Sequence, residues 1–197
     1  IVGSATIRNQ EGNTNIWSGG DVDLSSNQSK ATEIPDPQDP GYPRCMERSL
    51  DCEVIRSSTR LVEGSDLVQG DTRLTNTPED ELFQYYFGLP KQIYRDYVVT
   101  LETTGTDVNS DAKNAAGEVV WVEGDTVLEN TTVIGCAGNP SSGCSPGDDD
   151  IKPSILIING NVSFKGAPVF GLVYATGNIT FDSSTDIQGA VIAGGSL

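Results

Sequence analysis

The sequence predicts a mainly β fold: a β-solenoid of the parallel β-helix kind, interrupted by a large, mostly irregular insertion that carries one or two short helices. A short pattern of Gly, a small or polar residue, then an alternation toward a large apolar residue recurs along the 197 residues. Runs of β-favouring residues precede its later copies. A Pro-rich and aromatic segment without any copy separates the first copies from the rest.

The copies are Gly3-Ser4-Ala5-Thr6-Ile7, Gly20-Asp21-Val22-Asp23-Leu24, Gly124-Asp125-Thr126-Val127-Leu128, Gly160-Asn161-Val162-Ser163-Phe164, Gly177-Asn178-Ile179-Thr180-Phe181 and Gly195-Ser196-Leu197. Their glycines lie 17, 104, 36, 17 and 18 residues apart. A step of 17 or 18 reads as one coil, 36 as two coils, and 104 as a coil with a long insertion. Val119 to Val122, Ile155 to Ile158, Leu172 to Tyr174 and Ala190 to Ile192 supply a strand before each later glycine, which forms a corner where positive φ costs little. A single coil cannot bury its apolar face, whereas a stack can. The competing reading is a series of hairpins in a β-sandwich, since Gly-Asn and Gly-Asp also serve as turns. The sequons Asn161-Val162-Ser163 and Asn178-Ile179-Thr180 belong to the rung pattern and need not carry glycans.

On this reading residues 1–24 and 117–197 form the coils and residues 25–116 the insertion. Within the insertion, Ile34 to Pro43 is too rich in Pro for regular structure. Thr77 to Gly88 has helix marks: a Thr cap, Pro at the first helical position, acids in the first turn and Gly at the end, with Leu82, Phe83, Tyr86 and Phe87 on one face. A second turn or short helix is expected at Pro90 to Tyr97 and a strand at Val98 to Leu101. These aromatics are expected to pack over an end or side of the stack; a ligand groove lined by Tyr85, Tyr86, Tyr94 and Tyr97 is the alternative.

Cys45 with Cys52 and Cys136 with Cys144 form two local pairs, read as short-range disulfides made in an oxidising compartment. Other pairings and free thiols stay open. Metal binding is the rival, but the spacings fit no zinc knuckle.

Twelve Lys and Arg against 28 Asp and Glu give a net charge of -16, and there is no His. That excludes a Ser-His-Asp triad, a Cys-His dyad and His-ligated zinc. It also argues against nucleic acid as a partner, because such binding depends on Lys and Arg. The longest aliphatic run, Ile155 to Ile158, is far short of the roughly 20 residues of a membrane span. The chain opens at Ile1 without Met or a signal-like segment and stops at Leu197 in what reads as mid-strand. A trimmed, soluble part of an exported protein is therefore expected.

Paired carboxylates are the acid-base equipment open to such a chain: Asp21 with Asp23, Asp125, and Asp182 with Asp186. A polysaccharide-active β-helix enzyme would use them, but a solvated acidic rung explains them as well. Asp148, Asp149 and Asp150 are weak calcium candidates, lacking the alternation of an EF-hand loop. No other cofactor is expected. Arg44, Arg48, Arg56 and Arg60 read as partners for nearby acids. A flat solenoid face could bind glycan or ice, but Thr6, Thr126 and Thr180 keep no single offset from Gly, so the rank is weak.

The C-terminal stretch from Ile155 to Gly166, Pro168 to Ile179 and Ile187 to Gly195 resembles the C-terminal part of PilX-like proteins associated with type IV pilus assembly. Gly3 to Ile7, Ile16 to Gly20, Phe83 to Gly88 and Tyr94 also match. Gly-Asn rungs occur in bactofilins too, but those are cytoplasmic-side polymers that should lack disulfides. The PilX-like resemblance implies a bacterial surface or periplasmic protein, a minor pilin-like ectodomain without catalytic residues. It implies a hydrophobic N-terminal helix, missing here, as the only tie to membrane. Its partners would be other pilus subunits or a pilus-tip adhesin, in assembly or adhesion.

Overall fold

The computed structural model describes residues 5–8, 16–20, 31–35, 54–57, 67–68, 70–137, 144, 150–182 and 185–195. The protein is mainly β, and among the described residues its strands run parallel in two sheets apart from one antiparallel pair. In chain order the strands are β1 Ala5–Arg8, β2 Ile16–Ser18, β3 Ala31–Pro35, β4 Val54–Ser57, β5 Leu67–Val68, β6 Leu101–Thr104, β7 Val119–Glu123, β8 Thr126–Glu129, β9 Ser154–Asn159, β10 Val162–Lys165, β11 Val169–Ala175, β12 Ile179–Phe181 and β13 Thr185–Ala193. Four helices sit among them in the described residues: α1 Thr72–Asn76, α2 Glu79–Phe87, α3 Lys91–Tyr97 and α4 Val108–Asp111.

The large sheet runs β6-β7-β9-β11-β13, and beyond β13 it carries β1 with β3 and β4 along one half and β2 with β5 along the other. The small sheet is β8-β10-β12. Alternation places Val120, Val122, Leu156, Ile158, Val173, Ala175, Val191 and Ala193 of the large sheet in one core with Leu128, Val162, Phe164, Ile179 and Phe181 of the small one. Phe164 and Phe181, paired on neighbouring strands, stack with ring centres 5.2 Å apart.

The register explains the recurring glycine. Thr104 pairs with Glu123, Val122 with Ile158, Ile158 with Ala175, Ala175 with Ala193, and Ala193 with Ser18. Gly105, Gly124, Gly160, Gly177, Gly195 and Gly20 thus fall in one column. Several of these positions are too tight for a side chain: a Cβ on Gly160 would lie 2.6 Å from the Gly124 carbonyl carbon, and one on Gly105 2.0 Å from the Asp125 oxygen, whereas Gly124 has open space around it and is set apart by its φ of 89°.

Three readings of the repeat change. The 36 residues from Gly124 to Gly160 are one step rather than two, because β8 pairs directly with β10 and the excess loops out between β8 and β9. The copy at Gly3 is out of phase: Ala5–Arg8 pairs with Thr185–Gln188, ahead of the corner rather than after it. Gly105 joins the column although α4, not a strand, follows it.

The one or two helices expected in the aromatic segment are present as α2 and α3, and α1 and α4 join them. Pro78, not Thr77, is the N-cap of α2, and Thr77 instead ends α1. Gly88 ends α2 at φ 75°, as the pattern demands. The strand expected at Val98 starts at Leu101, because Val98 still caps α3 through its N–H to the Tyr94 carbonyl.

Helices α2 and α3 pack on the outer face of the large sheet, whereas α4 lies beside β6 and β8 with Val108 in the core between the sheets. Phe83, fully buried, meets Tyr94, Trp121 and Tyr174 edge-on at 5.4, 6.0 and 5.7 Å, and Ile157 and Ile192 complete the layer. Burying a side chain of this size is worth about 1.5–3 kcal/mol. The helical segment carries the chain from β2, where Asp71 N–H bonds the Ser18 carbonyl, across this face to the opposite edge at β6.

Candidate functional site

Two places on the described surface collect polar or aromatic side chains. The first is the outer face of the small sheet, where Asp125, Asn161 and Asn178 each follow a column glycine. Asn161 donates its backbone N–H to Asp125 Oδ1 at 2.8 Å and its Nδ2 to the same oxygen at 2.9 Å. Asn178 donates its backbone N–H to Asn161 Oδ1 at 2.8 Å. Asp125 and Asn161 thus each accept the corner N–H of the next rung, which is why a short polar residue follows the corner glycine.

Beside this ladder runs an open groove of about 600 Å³, lined by Thr106, Asn109, Asp125, Glu129, Ser163 and Thr180 among others. That size falls within the range of ligand pockets. Its polar groups, however, bond one another. Ser163 donates to Asp182, Asn109 to the Val127 carbonyl, and Thr126 to the Gly105 carbonyl. The outward column reads Val127, Ser163 and Thr180, while Thr126 points into the core, so no uniform hydroxyl rank forms among the described residues.

The second place is where α3 meets the edge of the large sheet. Lys91 reaches Glu79 and donates to Asn159 Oδ1 at 2.9 Å, and Asn159 Nδ2 donates to Glu123 Oε1 at 2.6 Å. Arg95 bridges Glu123 and Glu102 at 3.0 and 3.1 Å while lying 5.1 Å from the centre of the Trp121 ring. The Trp121 indole N–H, bonded to Glu123 Oε2 at 3.0 Å, holds the Glu123 carboxyl below its ordinary pKa, helped by Asn159, Arg95 and Lys91. A matching clamp ties α1 to β2: Asp71 accepts from Arg73 and from the Trp17 indole at 2.8 Å, and Arg73 above all keeps that carboxyl well below the usual range. Both clusters fasten helices to the sheet.

Compared with models of known families, with curated proteins and with solved structures, the chain matches none.

The candidate residues fall as follows. Cys136 and Cys144 are joined in a disulfide with Cα atoms 6.4 Å apart, and Cys136 is buried against Val133 and Phe170. Cys45, Cys52, Asp21, Asp23, Asp148, Asp149, Arg44, Arg48 and Arg60 lie outside the described residues. Asp150 is exposed, and its carbonyl accepts from Ala137 N–H; among the described residues no three His, Cys, Asp or Glu gather as metal ligands. Asp182 follows β12 of the small sheet, whereas Asp186 sits in β13 of the large sheet and accepts from Gln188, so each has its own setting. Arg56 lies in β4 opposite Glu33. The four tyrosines do not line one groove: Tyr94 is buried, Tyr86 half-buried, and Tyr85 and Tyr97 point to solvent. Among the described residues no helix is long and apolar enough to cross a membrane.

Asn109 and the Lys91–Asn159–Glu123–Arg95 cluster were not legible in the sequence. The bonds from Asn109 to Val127 and those that join Lys91, Asn159, Glu123 and Arg95 to one another span 18 to 68 residues, and no local spacing announces them.

Proposed function

We propose that the two parallel sheets are faces of a β-solenoid, and that the chain is the displayed, non-enzymatic part of a type IV pilus-associated, minor pilin-like protein. It works at the bacterial surface or in the periplasm through contacts with other pilus subunits or a tip adhesin. The observation that supports this reading best is the column from Gly105 to Gly20, with parallel strands leaving it on either side. Successive coils of one solenoid generate such a column, and the PilX-like pattern lies on the same rungs.

A scaffold role fits the way polar side chains are used. The ladder, the groove and both clamps spend their hydrogen bonds internally, and of the two acids named as a catalytic pair Asp182 follows the small sheet and accepts from Ser163 while Asp186 lies in the large one and accepts from Gln188. The disulfide at Cys136–Cys144 suits an exported protein.

The test is to shear pili from the cells that make the protein and probe the sheared fibres and the cell fractions with an antibody to this domain. The protein should appear with the fibres and the outer fractions, with its cysteines oxidised. Confinement to the cytoplasm with free thiols would end the proposal.

A further inference from the structure

We propose that the α2–α3 pair is the docking surface of this domain, and that its partner is a different protein of the same assembly presenting apolar side chains flanked by Lys or Arg. The inference rests on the protein-contact reading above and says where the contact lies.

Every exposed large hydrophobic among the described residues falls on this pair or its connecting turn: Tyr85 at 75 % exposure, Leu89 at 38 %, Ile93 at 46 % and Tyr97 at 83 %. Ile93 and Tyr97, four apart, share one face of α3. Exposed tyrosines concentrated on one rigid element are what protein interfaces use as anchors, because they offer large area with few rotatable bonds. The platform under them is held on the other side. Phe83 and Tyr94 bury into the aromatic layer, while Lys91 and Arg95 fix α3 to Asn159, Glu102 and Glu123.

Charge identifies the partner. Each cation of the helical segment is already engaged: Arg73 with Asp71, Lys91 with Glu79, and Arg95 with Glu102 and Glu123. Asp80, Glu81 and Asp96 are exposed and have no cation among the described residues. The free charge around the tyrosines is therefore negative. A second copy of this chain, with its net charge of -16, would meet that surface with like charge. A partner with basic groups around an apolar centre complements it.

The experiment places the photo-crosslinker Tyr97→p-benzoylphenylalanine in the full chain and irradiates intact cells, with Tyr97→Ser purified in parallel to confirm that the side chain does not support the fold. One adduct with a different protein is expected, and its crosslinked peptide should hold apolar residues beside Lys or Arg. Adding Asp80→Lys and Glu81→Lys should cut the adduct about tenfold, since like charges across an interface are strongly unfavourable. No adduct, an adduct with a second copy, an acidic crosslinked peptide, or a yield indifferent to the charge reversal would each overturn the inference. If the protein still travels with sheared pili in any of those cases, the inference fails alone and the assembly reading stands.

Discussion

The Asn109 side-chain amide donates to the Val127 carbonyl at 2.8 Å, in the place where the next strand of the small sheet would be. Its oxygen accepts the Glu129 N–H at 3.0 Å and the buried Thr132 hydroxyl at 2.6 Å. One side chain from α4 thereby satisfies both kinds of backbone group on the open edge of β8. An unprotected parallel edge is a template for further strands, and this is how the sheet ends instead.

Asn109→Ala should cost about 2–3 kcal/mol, since it strands a buried hydroxyl together with a backbone donor and acceptor. Asn109→Asp keeps the acceptor for Glu129 and Thr132 but turns an oxygen toward the Val127 carbonyl, so about half that loss is expected. Urea unfolding of the two variants is the measurement, and stabilities equal to wild type for both would refute the capping role.

Two glycines with positive φ should respond very differently to alanine. A Cβ on Gly171, at φ 134°, would lie 1.9 Å from the Ser154 carbonyl oxygen of the neighbouring strand, and backbone must move to admit it. Gly171→Ala should cost about 3 kcal/mol or more, through overpacking and lost pairing. Gly88→Ala has open space around it and bears only the left-handed φ of 75°, a cost of about 1 kcal/mol. Thermal unfolding of the pair tests whether the close stacking of β9 and β11, rather than backbone angle, is what Gly171 serves.

The rungs at Gly160 and Gly177 were legible because their signal is local: a corner glycine, an Asx directly after it, and an alternation that faces the core. The step from Gly124 to Gly160 misled because counting residues cannot distinguish a second coil from an excursion that carries a disulfide. Ala5–Arg8 misled because a short alternating strand looks the same on either side of a corner, and only pairing with Thr185–Gln188 fixes its side. The helices of the aromatic segment could be read from Gly88 and the first-turn acids. Which tyrosine is buried could not, since Tyr94 and Tyr97 differ only in what Phe83 and Trp121 place against them.

The Asx ladder predicts an order among substitutions. Asn161→Ala removes the acceptor for Asn178 N–H and the donor to Asp125, and should cost about 1–2 kcal/mol. Asn161→Asp keeps the acceptor but sets a second carboxylate against Asp125, so its cost should shrink in high salt. Asp125→Asn keeps an oxygen for Asn161 N–H and should be within about 0.5 kcal/mol of wild type. Denaturation midpoints at low and high salt would expose an error if Asn161→Ala proved neutral or Asn161→Asp insensitive to salt.

Tyr174 sets the behaviour at high pH. Its ring packs 5.3 Å from Phe87 and 5.7 Å from Phe83, and its hydroxyl is buried without a hydrogen-bond partner among the described residues. Burial pushes its pKa far above the ordinary 10.0, and burial also pushes Tyr86 up to about 12. A folded pKa above the unfolded one gives stability that is fully present below the unfolded value and is lost as pH rises through the folded value. The protein should therefore hold its stability up to about pH 9 and lose it progressively above 10, where the unfolded chain releases phenolic protons that the fold retains. Tyr174→Phe should remove much of that alkaline loss and gain about 1 kcal/mol at pH 7, since an unsatisfied buried hydroxyl disappears while the ring stays. Urea midpoints from pH 7 to 11 decide the matter. A Tyr174→Phe variant that is less stable at pH 7, or one that weakens with alkali as steeply as wild type, would mean that the hydroxyl is held by a partner and titrates otherwise than its burial requires.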